Sequence, residues 1–313
     1  MQFITKNTAI DFMGQRRKAI LVSSLLLVIS IACLATRGLN FGIDFTGGTL
    51  VEVGYGEAVT LAPVRESLAA GGFNDAIVQH FGTAKDVLVR LPPQEEASTA
   101  EISTAALEAL SKVAPDMTMR RVEFVGPQVG KELTEQGGLA VLFALGAILA
   151  YVALRFEWRF ALGSVAALTH DVLITLGVFS LLQVEFDLSV LAAILAVIGY
   201  SLNDTIVVFD RIRERFREML KSDTIDVMNL SINQTLGRTI MTSVTTLLVL
   251  LALFFLGGEV IHGFSIALLI GVVVGTYSSI FVASTSALAL GVTQENLIPV
   301  EVEGKEFDVE NLP

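Results

Sequence analysis

Asn203 and Asp204 lie inside an unbroken apolar stretch, 188–209. A carboxylate near a bilayer centre costs roughly 2.5–3.5 kcal/mol on insertion scales, so it faces a partner or a water path. Counting about 1.5 Å per residue inward from Arg211, where the basic run begins, places Asp204 about 10 Å inside the apolar layer. On a helix it shares a face with Tyr200 and with Val207 or Val208, so a phenol lies within one turn of the carboxyl group. Asn203 beside it can donate and accept hydrogen bonds on a neighbouring face. A proton-carrying carboxylate fits this setting. So does a partly buried Asp that only pairs with a helix neighbour, whereas a lipid-facing Asp is excluded by cost.

The obvious opposite charge is Arg238, which opens the next apolar run and is followed by Thr242, Thr245 and Thr246 at spacings near one helical turn. Such a stripe is expected to face the bundle. Antiparallel helices joined by the loop 210–237 would bring Asp204 and Arg238 to similar depth. An ion pair there would hold Asp204 ionised, and its exchange for water or another carboxylate would let the acid take up a proton, which is the chemistry of a relay. Arg238 also fits a residue that snorkels and marks the membrane edge. His170-Asp171 is a second internal pair, about 18 Å above Arg159. It either extends a proton path toward the outside or is satisfied internally, by mutual pairing or by hydroxyls such as Thr169 and Thr175.

With 53% hydrophobic residues in 313, the chain is too apolar for a soluble domain of its size. Six runs are long enough to span about 30 Å of hydrocarbon: 19–36, 137–154, 160–182, 188–209, 239–256 and 264–290. The first follows Arg16-Arg17-Lys18, is too long for a signal peptide and ends in no small-residue cleavage site, so it reads as an uncleaved anchor. Lys and Arg in short loops favour the cytoplasm. Arg16, Arg17 and Lys18, then Arg155 and Arg159, then Arg211, Arg213, Arg215, Arg217 and Lys221 all fall inside; the loops 183–187 and 257–263 lack Lys and Arg and fall outside. Both termini are then cytoplasmic in a multi-pass membrane protein, and the tail 291–313 is acidic. A net charge of −11 argues against a nucleic-acid partner. The single Cys33 allows no internal disulfide.

The stretch 37–136 is the only part large enough to fold outside the membrane. It alternates as strand 49–55, helix 61–70 after Thr60 with Pro63 in its first turn, strand 76–81, strand 86–91, helix 98–113 and strand 117–125. The order β-α-β-β-α-β is that of the ferredoxin-like split βαβ fold. The expected architecture is therefore six transmembrane helices, with a ferredoxin-like α+β periplasmic domain between the first and second. The segment near 210–222 reads as an amphipathic cytoplasmic helix, either a solvated anchor or a contact for a partner or anionic lipid. Gly271 to Gly275 forms a Gly-x-x-x-Gly that permits close helix approach. With three His, one Cys and no close ligand spacing there is no pattern for a metal, and no phosphate-binding loop that would mark an ATPase. No enzymatic centre or cofactor is expected; protons are the expected coupling ion.

The run Gly199-Tyr200-Ser201-Leu202-Asn203-Asp204-Thr205-Ile206-Val207-Val208-Phe209-Asp210-Arg211-Ile212-Arg213-Glu214, with Phe41-Gly42-Ile43-Asp44-Phe45-Thr46-Gly47-Gly48 and Arg238-Thr239, resembles the SecD/SecF family of protein-export membrane subunits, in the wider RND superfamily. The resemblance covers nearly the whole chain. It implies work beside the SecYEG channel with SecD, contact of the periplasmic domain with unfolded preprotein, use of the proton-motive force, and a machinery that also includes YajC, YidC and membrane lipids. It also implies proton conduction through Asp204 and Arg238, and a further Asp on the SecD half that this chain lacks. An RND-type exporter of small molecules or lipids is the alternative, though such exporters carry two six-span halves. A scaffold that moves no protons is the third reading.

Overall fold

The computed structural model describes residues 9–93, 99–219 and 222–293. Lys221, Ser98 and the acidic tail from 294 onward lie outside the described residues. In chain order the elements are α1 (Arg16–Arg37), β1 (Asn40–Phe41), α2 (Ile43–Thr46), β2 (Gly48–Gly54), α3 (Leu61–Ala70), β3 (Ile77–Phe81), β4 (Thr83–Leu91), α4 (Thr99–Ser111) and β5 (Thr118–Val125). There follow α5 (Pro127–Arg155), α6 (Trp158–Leu182), β6 (Glu185–Phe186), α7 (Leu188–Glu218), α8 (Thr224–Leu256) and α9 (His262–Ser278), which runs through a π-helical turn, Ser279–Ala283, into α10 (Ser284–Ala289).

Strands β2 to β5 form one antiparallel sheet in the order β3-β4-β2-β5, the strand order of the ferredoxin-like fold. Alternation dictates its two faces. Val51, Val53, Val87 and Val89 point to one side and bury Val64, Leu68, Ala106 and Leu110 of α3 and α4. Leu50 and Leu88 point to the other and meet Ile43 of α2.

Among the described residues six helical segments are long and apolar enough to cross a membrane, as the hydropathy pattern requires. They form two layers. The most apolar windows of α6, α7 and the α9–α10 segment are 56%, 44% and 44% buried, whereas α1, α5 and α8 are 11%, 11% and 17% buried and turn apolar side chains outward. Glycines set the inner spacing: a Cβ on Gly271 would lie 2.1 Å from Val197 and one on Gly275 3.0 Å from Ser201, so α9 lies directly on α7. Likewise a Cβ on Gly177 would lie 2.2 Å from Ser30, which brings α1 onto α6.

Three helices outrun their apolar cores, and at α5 and α8 capping, not hydropathy, fixes the end. Helix α5 starts at Pro127, not Gly137: Gly126 is extended and Pro127 occupies the first turn, where its missing N–H costs nothing. The expected separate amphipathic helix near 210–222 is the last turns of α7, which stops at Glu218. Helix α8 starts at Thr224, where the Asp223 carboxylate accepts from Ile225 N–H at 3.3 Å.

The extramembrane domain is fastened to the bundle at one junction. β1 pairs in parallel with β6, between α6 and α7. The Asp44 carboxylate accepts from Leu188 N–H (3.0 Å), so α2 caps the first turn of α7 alongside Asp187. Phe41, Phe45 and Phe186 stack at 5.7–5.9 Å between ring centres. Arg90, buried on β4, reaches Asn40 and the Phe41 carbonyl (both 3.3 Å) and pairs with Glu185 at 2.6 Å. Two glycines make the turn into β2. Gly48 has φ +123°, and a Cβ there would lie 2.4 Å from the Leu91 carbonyl oxygen, which is already registered in the sheet. Gly48→Ala is therefore expected to lower the unfolding free energy by about 1–3 kcal/mol or more, read by thermal unfolding and protease resistance of the domain.

Burial raises the Glu185 carboxyl above its ordinary 4.5; Arg90 opposes the shift, and Asp187 and Asp44 add to it. A carboxyl raised in the folded state stabilises fully below its unfolded value and loses that contribution as pH rises through its folded value. Stability should therefore fall with rising pH in the window between 4.5 and the raised value. Glu185→Gln keeps an acceptor for Arg90 but cannot ionise, and should flatten that slope by at most about 1.4 kcal/mol per pH unit in thermal melts.

Candidate functional site

Asp204 sits on the buried face of α7, 8% exposed, where α8 and the α9 end converge. Thr239 of α8 donates its hydroxyl to Oδ1 and Ser279 of the π-helical turn donates to Oδ2, each at 2.6 Å. One turn away in the same core, Asp171 of α6 is fully buried. Ser201 of α7 and Ser278 of α9 donate to its Oδ2 at 2.6 and 2.7 Å, and His170 Nδ1 lies 2.9 Å from its Oδ1. Consecutive serines of one helical turn thus serve two carboxylates on two helices. Hydrogen bonds to charged groups contribute about 1.5–3 kcal/mol each, so two per acid offset an insertion cost of about 2.5–3.5 kcal/mol.

These serines have a second acceptor. Ser279 Oγ is also 3.1 Å from the Thr276 carbonyl, and Ser278 Oγ is 3.2 Å from the Gly275 carbonyl. A hydroxyl carries one proton, so it can donate to an ionised carboxylate, or turn to the backbone and accept from a protonated one. Both protonation states of each acid find hydrogen-bond partners without moving a helix. The π-helical turn that supplies Ser279 is the kind of local irregularity that clusters at functional sites.

The remaining candidates divide. Tyr200 does not reach Asp204: its hydroxyl lies 3.4 Å from Ser243, which bonds Thr276 at 2.7 Å and ties α7, α8 and α9 together. Asn203 is exposed. Arg238 is exposed too, and among the described residues it forms no ion pair with Asp204. The stripe expected to face inward is rotated out: Thr242 and Thr245 are exposed and donate to carbonyls of their own helix, at 3.1 Å to Arg238 and 2.9 Å to Met241. Such back-bonding lets a threonine face outward without an external partner. Inward from α8 point Thr235, Thr239 and Ser243, one position on and four apart. The His170-Asp171 pair is joined as expected, but its further partners are Ser201 and Ser278; Thr175 bonds only the Asp171 backbone carbonyl, at 2.8 Å.

Sequence reasoning missed Ser201, Ser278, Ser279 and the direct role of Thr239. The available signal was the dense polar cluster Thr276-Tyr277-Ser278-Ser279 inside an apolar run. A bundle that must hold two acids needs that many donors.

Residues 105–293 match the family model for the C-terminal part of the protein export membrane proteins SecD/SecF, and residues 34–59 match the SecD/SecF GG motif. A protein translocase subunit SecF from Vibrio alginolyticus is 54% identical over 98% of both chains. The chain belongs to the SecF family. The SecF relative from Escherichia coli O157:H7 is 45% identical over 95% of this chain and 93% of its own. Among solved structures, SecDF from Thermus thermophilus, a translocon-associated membrane protein, superposes with a TM-score of 0.83 at 40% identity. The match covers 92% of this chain and 39% of that one, so this SecF chain spans about two fifths of the crystallised polypeptide. A SecDF structure in a super-membrane-facing form scores 0.68 at 41% identity. The protein is a multi-pass membrane subunit of the Sec translocase that functions with SecD.

Ser279→Ala leaves one oxygen of Asp204 without its donor, whereas Ser278→Ala removes one of the two hydroxyls on Asp171 Oδ2 and leaves Ser201 in place. Each is expected to cost about 1–3 kcal/mol in thermal denaturation of the detergent-solubilised complex.

Proposed function

We propose that this subunit, with SecD, uses the proton-motive force to promote preprotein movement across the inner membrane and its release on the periplasmic side. The observation that carries the proposal is Asp204, buried in the bundle and held by two hydroxyls instead of a cation. An acid fixed by an arginine would stay ionised; one held by hydroxyls can cycle.

The orientation follows from charge. Arg16, Arg17, Lys18, Arg155, Arg159 and the Arg211–Arg217 cluster lie at one end of the bundle and the ferredoxin-like domain at the other. By the positive-inside rule the basic end is cytoplasmic and the domain periplasmic, where it can meet the emerging preprotein.

Movement can travel along α7. Its first turn is capped by Asp44, at the base of the periplasmic domain, and it carries Asp204 farther along. Protonation of Asp204 lets the Ser279 hydroxyl turn toward Thr276 and replaces a charge-assisted tie between α7 and α9 by a weaker neutral one; that hydrogen bond does not itself demand a helix movement, but the weaker tie permits a tilt of α7, which would reach the domain through the β1–β6 junction. The unequal match to two SecDF structures of nearly equal identity supports a fold that takes more than one arrangement. Arg238 and Asn203 are exposed, which supports reading their outer face as the one that meets SecD, whose own carboxylate would complete the path.

Asp204→Asn retains the shape and a hydrogen-bonding amide but cannot take up a proton. Gradient-stimulated export should drop to the level seen without a gradient, while the amount of SecD co-purified stays unchanged. Normal stimulated export in this variant would overturn the proton role.

A further inference from the structure

Among the described residues, His170 Nε2 and Thr285 Oγ1 are both buried without a hydrogen-bond partner, and both residues line one cavity of about 320 Å³ between α1, α6 and the α9–α10 segment. His170 is 3% exposed and Thr285 8%. An unmade hydrogen bond of this kind costs about 1–3 kcal/mol. Two such atoms facing one space of this size are what a bound water needs, since a water occupies about 30 Å³ and takes two to four polar partners.

The cavity has a direction. From His170 it extends past Ser24 of α1 and Ser286 of α10 to Ala19 and Ala289. Ala19 follows Arg16-Arg17-Lys18, and Ala289 precedes Leu290, whose carbonyl accepts from Arg159 at 3.2 Å. It therefore leads from mid-membrane to the basic end of the bundle, opposite to the outward path expected for this pair from the sequence.

We propose that this cavity is a hydrated vestibule through which His170 exchanges protons with the aqueous phase at the basic end. With Nδ1–H donating to Asp171, Nε2 offers a free lone pair to vestibule water. A proton taken at Nε2 is matched by release of the Nδ1 proton to Asp171 Oδ1; once that single proton moves to Oδ2, Ser278 can turn its own proton to the Gly275 carbonyl and accept from the acid, while Ser201 goes on donating. The next residue after Ser278 holds Asp204. The titratable groups packed about His170 are Asp171 on its own helix and Tyr277 of α9, its ring centre 6.3 Å away and its hydroxyl engaged by Ala19 and Ser23 of α1. Hydration of the cavity stands on its own, and the relay role rests on the proton-driven reading of Asp204.

The test uses the complex with SecD in vesicles whose basic face is outward, with Cys33→Ala as background. Ser24→Cys and Ser286→Cys should react with a charged, water-soluble methanethiosulfonate about tenfold faster than Val22→Cys, an exposed apolar position of α1 at nearly the same depth, because the reagent needs a hydrated thiolate. Equal, slow reaction at all three positions means an apolar or lipid-filled cavity and overturns the proposal. Ala166→Phe, one turn below His170 on the cavity wall, should block the water path and cut gradient-stimulated export about tenfold, with SecD co-purification unchanged. Fast labelling with unaffected export overturns the relay role. Asp204→Asn is run in parallel: if it exports normally, the proton-driven reading has failed and the relay falls with it, while the labelling rates still decide hydration.

Discussion

Two carboxylates must be carried inside a hydrocarbon layer, and the arrangement of the bundle follows from supplying them with donors. Asp171 and Asp204 sit on different helices, so one element has to reach both. The α9 end does so with Ser278 and Ser279, about 100° apart on the helix, each turned to its own acid. That geometry demands that α9 lie close to α7, and the bare faces of Gly271 and Gly275 make the approach possible. Thr239 and Ser201 add the second donor on each side. The inner layer of α6, α7 and α9 is buried because it encloses this network, and α1, α5 and α8 are left to face lipid or partner.

The same helix that carries Asp204 receives the extramembrane domain at its other end. Asp44 caps α7, Arg90 reaches from the centre of the sheet to Glu185, and β1 pairs with β6. The Phe41–Gly48 segment thus works as a mount: its phenylalanines pack on the bundle, and its glycines turn the chain into β2 where no side chain fits. A domain fixed only by flexible linkers would be blind to events in the membrane. Here α7 contacts its base directly, so a change in the tilt of α7 would act on it under the proposed function.

The ferredoxin-like domain was legible in the sequence because α3 and α4 bury one face against the alternating valines of β2 and β4, which writes period 3.6 and period two into the residues, even though β2 and β4 are buried on both faces and β5 has no buried residue; observed limits fall within about three residues of those expected. The spans were legible for a cruder reason, hydropathy. Their ends were not, because capping at Gly126-Pro127 and Asp223 extends helices beyond their apolar runs. Nor were β1 and β6, two-residue strands too short to carry a period. Within the site, Asp204 and the His170-Asp171 pair announced themselves by cost. Their true donors did not: a serine in an apolar helix can bond its own backbone at little expense, so hydroxyls give no sign of whether they face in or out. The inward stripe of α8 was misjudged by one position, about 100° of rotation, which moved Arg238 and Thr242 to the outer face.

That rotation bears on how the site is completed. An arginine in contact with Asp204 would make the pair self-contained, and the chain would need no second carboxylate nearby. Placed outside the bundle, Arg238 has two physical options: its long stem carries the guanidinium toward the basic end, or an anionic group on another polypeptide meets it. A lipid-facing guanidinium satisfied by neither would cost about 2.5–3.5 kcal/mol on insertion scales. The second option would pair Arg238, on the outer face of α8, with an acid of the neighbouring subunit. Under the proposed function, switching by hydroxyl rotation would then belong to this subunit alone, and the compensating charge to the interface. A conductive path built that way is complete only in the assembled pair, which limits proton leak through an unassembled subunit.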